Sequence, residues 1–223
     1  MIVISGMPGI KHKFFAKEIS TSDYTHCYNN FSLPRVDLGM LNIVEYKQDI
    51  NTLTDIIGGT FSQVFLEQIR NDHHIEVLNI IRNPSVSYIT GIEDLFPNDE
   101  LPMGLDYVTP VTTSSAIDAI TLSKLEYVTT VKFEDIIVNG QFEFMGKIIK
   151  CPAVHNNYNG TITRYESVML KKSVITSEMV DQFNERFSNF NQSFVNCHND
   201  PRLPGNVFEE LGYKPLTLEE ILK

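Results

Sequence analysis

Ile2-Val3-Ile4-Ser5 is a short apolar, β-branched run that breaks at Gly6, Pro8 and Gly9 and resumes as Phe14, Phe15, Ala16 and Ile19 at helical spacing. A run this short and this apolar reads as a buried strand, the Gly/Pro cluster as a turn, and the spacing after it as a helix. A strand that feeds a helix through a glycine turn is the opening of an α/β layer structure, and the rest of the chain must supply strands to pair with it.

Those strands are sought by pattern. Glu76 to Ile81 (EVLNII) is nearly all apolar, as a parallel strand covered on both faces should be, and it stops at Arg82-Asn83-Pro84. A helix is expected from about Ser85, with proline in its first turn. Tyr127 to Phe133 reads as a further strand followed by Glu134-Asp135, and Leu38 to Tyr46 as a weaker one. Asn29 to Pro34, Pro97 to Pro110 and Asn156 to Gly160 read as loops. Ile50 to Arg70 has helical spacing interrupted by Gly58-Gly59, which predicts two helices or one with a break. Ser114 to Leu125 is a helix with Ser114 or Ser115 as N-cap. Asn139-Gly140 is a turn signal between two apolar runs, and Phe142 to Lys150 is expected to pair with a neighbour as a hairpin across it. Ser177 to Val195 carries an apolar stripe of Met179, Val180, Phe183, Phe187, Phe190 and Phe194, with Ser177 as cap; such a stripe is core or partner-helix packing. After a Pro204-Gly205 turn the chain ends in an amphipathic LTLEEILK. The expected architecture is α/β, a mostly parallel central sheet flanked by helices, with residues 1–198 as one domain and 199–223 as a tail able to dock.

Composition limits the partners. Lys plus Arg number 18 against 28 Asp plus Glu, a net charge of −10. Nucleic-acid backbones are held mainly by Lys and Arg, so nucleic acid is not the expected partner. Cys27, Cys151 and Cys197 are odd in number and widely spaced, which predicts free thiols and no metal site. No run approaches the roughly 20 apolar residues of a membrane span, and the amino end has no signal-peptide pattern, so the expectation is a cytoplasmic protein.

In parallel sheets ligands sit at the carboxyl ends of the strands. That directs attention to three loops: Gly6 to Lys13, Arg82 to Thr90, and Glu134-Asp135. The glycines of the first let backbone N–H groups turn toward an anion at a helix start, and Lys11 and Lys13 add charge. Arg82 is suited to bidentate phosphate binding, and Thr90, eight residues on, can add a hydroxyl. A GxxxxGK[ST] loop would need glycine, lysine and a hydroxyl residue in succession where this chain has Lys11, His12 and Lys13. Asp72, His73 and His74 precede a strand and so fall at its opposite end.

Together, and in this order, ISGMP, IIRNP with Thr90, and VKFEDI (Val131 to Ile136) resemble the sulfotransferase family, a P-loop-like fold. The likeness spans about Met1 to Ile136. It implies that Gly6, Gly9, Lys11 and Lys13 face the 5′-side and Arg82 and Thr90 the 3′-phosphate of 3′-phosphoadenylyl sulfate, and that a sulfuryl group passes to a hydroxyl acceptor. Lys11, His12 and Lys13 are the catalytic candidates by position. The loop departs from the family's basic–Ser-Gly-Thr pattern, and a carboxyl-terminal Arg-Lys-Gly motif is absent from the sequence.

Two other readings stand beside this one. A member of the fold that has lost its chemistry would act as a structural or interaction protein, alone or as an oligomer. The Asn- and Ile-heavy composition, a hint of a viral or low-GC source, would place it in a host cytoplasm. A P-loop kinase for a nucleotide or small molecule ranks third, because it needs a hydroxyl at position 13 for Mg²⁺.

Overall fold

The structure, a computed structural model, describes residues 1–7, 9–10, 12–19, 30–31, 56–59, 63–72, 74–95, 112, 115–151, 176–188 and 206–221. Its centre is a five-stranded parallel sheet of β1 (Ile2–Gly6), β2 (Asn30–Phe31), β3 (Ile56–Gly59), β4 (Glu76–Ile81) and β5 (Val128–Lys132), in the order β2-β3-β1-β4-β5. The helices are α1 (His12–Ile19), α2 (Gln63–Asp72), α3 (Pro84–Leu95), α4 (115–123), α5 (Phe133–Asn139), α6 (Ser177–Ser188), α7 (Val207–Leu211) and α8 (Leu218–Ile221). The expected α/β class, with a parallel sheet between helices, is what the chain adopts.

Side-chain alternation along β1 and β4 sorts the helices into two layers. Ile2, Ile4, Leu78 and Ile80 pack with Phe15, Ala16 and Ile19 of α1 and Phe133, Ile136 and Ile137 of α5. Val3 and Val77 point the other way, onto Leu66 and Ile69 of α2 and Leu122 of α4. Near the carboxyl end of that second face, Ile81 joins Tyr88 and Ile89 of α3, Ala116, Ala119 and Ile120 of α4, and Val180, Phe183 and Phe187 of α6. The α6 stripe is therefore core: Phe183 stacks on Tyr88 at 4.2 Å and lies 4.1 Å from Phe187. Phe190 and Phe194 lie outside the described residues.

Several expectations needed correction. Ile56–Gly59 is a strand, not part of a helix. Its register with β1 (Ile2↔Ile56 to Ser5↔Gly59) supplies the neighbour that β1 requires, and this long-range pairing outweighs local helical spacing. Asn30–Phe31, expected in a loop, adds to the far side of β3. Glu134 and Asp135 are not loop residues but the acidic first turn of α5, where they complement its positive end. Gly140, at φ +64°, ends α5. The hairpin turn lies instead at Met145-Gly146, with both φ positive as a type I′ turn demands, between β6 (Gln141–Phe144) and β7 (Lys147–Lys150). Thr176, not Ser177, caps α6, its hydroxyl accepting from Met179 N at 3.3 Å. The expected strand at 38–46 and the loops at 97–110 and 156–160 lie outside the described residues, as do Ser114, Cys27 and Cys197.

Residues 206–221 pack on the domain itself. Asn206 caps α7 by accepting from Phe208 N and Glu209 N, and Val207, Phe208 and Leu211 are buried beside Phe187. Among the described residues no helix is long and apolar enough to cross a membrane.

Candidate functional site

The chain leaves β1 for α1 on one face of the sheet and leaves the adjacent β4 for α3 on the other. Neighbouring strands whose helices diverge in this way open a crevice at their carboxyl ends, the usual ligand position in such sheets. Its rims are the β1–α1 turn with Gly9 and the β4–α3 turn with Arg82, Asn83 and Pro84.

Each turn is locally specified. Asn83 is the N-cap of α3, its Oδ1 accepting from Ser85 N at 3.0 Å, and Pro84 takes the first helical position, where no N–H is needed. Gly9 has φ +84°, and a Cβ there would overlap Thr90 Oγ1 and stand 2.9 Å from Arg82 Nη1. Only glycine fits both the backbone and the space.

The three loops singled out from the sequence meet at this point. Arg82 Nη1 donates to the Gly9 carbonyl oxygen at 2.9 Å, and the guanidinium lies 4.7 Å above the Phe133 ring. Glu134 Oε1 accepts from Asn83 N at 3.0 Å. Thr90 is beside Gly9, its hydroxyl donating to Val86 O at 3.0 Å. Lys11 lies outside the described residues, as do the side chains of His12 and Lys13, which begin α1.

Arg82 is 3% exposed, and its Nε has no hydrogen-bond partner among the described residues. Nor does any described carboxylate form an ion pair with it. A buried guanidinium with a spare donor and no counter-charge is costly and is the complement of a bound anion. A scan against protein-family models finds no match for this chain, and a search of curated proteins finds no significant relative. The site therefore rests on its own geometry.

Two contributors were not singled out from the sequence. Asn83 was legible as an Asn-Pro helix start. Tyr213 was not: its hydroxyl donates to Glu134 Oε2 at 2.5 Å from a position 79 residues further along the chain. Burial first, and then the adjacent Glu134 carboxylate, push that hydroxyl far above the ordinary phenol range; Asp135 adds to the effect and Arg82 opposes it. At the other end of the sheet His74 is exposed and meets Glu76 at 3.0 Å, away from the crevice.

Proposed function

We propose that the chain binds a phosphate-bearing ligand of the adenosine 3′,5′-bisphosphate type in the crevice between the Gly9 and Arg82 turns, as a sulfotransferase-like protein of the P-loop-like class. The observation that carries this reading is Arg82, buried, with no ion-pair partner and no partner for its Nε among the described residues, and set against a glycine turn. Arg82 would hold the 3′-phosphate, and Thr90 would join it by turning its hydroxyl away from Val86 O. Gly6, Gly9, Lys11 and Lys13 belong to the turn that would take the 5′-side. A bound 3′-phosphoadenylyl sulfate would supply the sulfuryl group for a hydroxyl acceptor, and Lys11, His12 and Lys13 are the cationic candidates to offset charge on the leaving phosphate. The compartment that goes with this reading is the cytoplasm.

The test is thermal denaturation with adenosine 3′,5′-bisphosphate. A ligand at a hundred times its Kd should stabilise the native state by about 2.7 kcal/mol, and Arg82→Met should abolish the shift. An unchanged melting temperature at millimolar ligand rejects the reading. Stabilisation by Mg-ATP alone would favour a kinase.

A second reading has a specific observation behind it. Arg82 already braces the Gly9 carbonyl, and the Thr90 hydroxyl is committed to its own helix, so the same contacts can hold two turns together without chemistry. On that reading the chain is a structural or interaction protein. It predicts a stable homo- or hetero-complex with no nucleotide bound, and a measured turnover would reject it.

A further inference from the structure

We propose that Gly212 to Leu216 form a strap in which Tyr213 is a positioning residue, holding the Glu134 carboxylate away from Arg82 and so keeping the guanidinium charge free for an anion. This rests on the anion-binding reading of Arg82 given above. The strap is anchored by α7, whose Val207, Phe208 and Leu211 are in the core. It then crosses the strand ends and is tied on both sides of Arg82. The Tyr213 hydroxyl faces Ile81 O at 3.4 Å, and Asn83 Nδ2 donates to Lys214 O at 2.9 Å. Further along, Leu216 N donates to Ser85 Oγ at 3.1 Å and Asn184 Nδ2 donates to Leu216 O at 2.8 Å. On the other flank Lys132 Nζ donates to Gly212 O at 2.8 Å and lies 4.6 Å over the Tyr213 ring.

Glu134 is the fulcrum. One oxygen accepts from the backbone of Asn83, the residue next to Arg82, and the other accepts the Tyr213 proton. With both oxygens engaged, the carboxylate forms no ion pair with Arg82, although Arg82 is next to Asn83, whose amide Glu134 engages, and lies 4.7 Å over the ring of Phe133, the residue before Glu134. Removing the Tyr213 hydroxyl leaves Glu134 Oε2 short of a donor in a partly buried site, while Arg82, the residue beside Asn83, keeps an Nε with no partner among the described residues. The carboxylate would then compete with the ligand.

Full-length Tyr213→Phe keeps the ring and removes the hydroxyl. Its affinity for adenosine 3′,5′-bisphosphate by calorimetry should fall about tenfold, the scale of one hydrogen bond to a charged group. Tyr213→Phe/Glu134→Gln should recover to about the affinity of Glu134→Gln alone, because glutamine can still accept from Asn83 N but carries no charge to compete. A merely structural role for Tyr213 predicts no recovery, and a double variant as weak as Tyr213→Phe overturns the proposal. So does wild-type affinity in Tyr213→Phe. If the wild-type protein binds no bisphosphate, the anion reading fails, and the strap is judged by hydrogen exchange. The Asn83 amide should exchange about tenfold faster in Tyr213→Phe, and an unchanged rate removes the strap as well.

Discussion

Arg82 Nη1 and the Gly9 carbonyl oxygen, 73 residues apart in the chain, are joined by a hydrogen bond of 2.9 Å that ties the turn after β1 to the turn after β4. The bond has two consequences. It places a buried positive charge at the point where the helices diverge from the sheet. It also sets Gly9 against Thr90 of α3, while Gly6 lies against the backbone of Ile80 in β4.

Alanine at either glycine should destabilise the protein, for different reasons. At Gly9 the side chain meets Thr90 and the backbone is left-handed, which alone costs about 1–2 kcal/mol. At Gly6 a Cβ would come 2.8 Å from Ile80 O, a backbone atom of β4 that no rotamer change can move. Chemical denaturation should show both variants to be less stable, Gly9→Ala the more so. A Gly9→Ala protein with wild-type stability would contradict the described turn.

Arg82→Met should separate stability from binding. It loses the bond to Gly9 O, worth about 1 kcal/mol net, and relieves a buried charge that has no ion-pair partner among the described residues. The expected outcome is a melting temperature within a few degrees of wild type and complete loss of anion-dependent stabilisation. A collapse in stability with ligand binding retained would make Arg82 a structural brace alone.

Asn83→Ala removes the cap of α3 and the tie to Lys214 O. The cap alone is worth about 1 kcal/mol, so urea denaturation should show a loss of about 1–2 kcal/mol. Asn83→Asp keeps the capping oxygen and loses the amide donor to Lys214 O, and it should recover part of that loss.

Alkaline pH should weaken the fold. Burial, with Glu18 adding to it, pushes the Cys151 thiol up from 9.0 to about 12, so the unfolded chain loses this proton first. The native state binds more protons over that window, and stability falls as pH rises from about 9 to about 12. Below that window the contribution is fully present. Tyr213, also raised, adds a loss that sets in above pH 10. Stability measured against pH for Cys151→Ala should lack the first component; an unchanged curve would place the alkaline sensitivity elsewhere.

What local chemistry dictates was legible in the sequence. The β1 strand–turn–helix, the all-apolar β4 with its Asn-Pro stop, and the Phe stripe of α6 are written in nearest-neighbour patterns, and each formed within a residue or two of expectation over the described residues. The same patterns pointed to Gly9, Arg82, Thr90 and Glu134 as residues of one sheet edge. Tertiary structure decided the rest. Ile56–Gly59 became a strand because β1 needed a partner, an energy that appears only when distant segments meet. The Arg82–Gly9 bond joins turns 73 residues apart, and Glu134 meets a tyrosine 79 residues further along the chain. Periodicity reports which face of an element is buried, but not which side chain of a remote segment will share a proton with it.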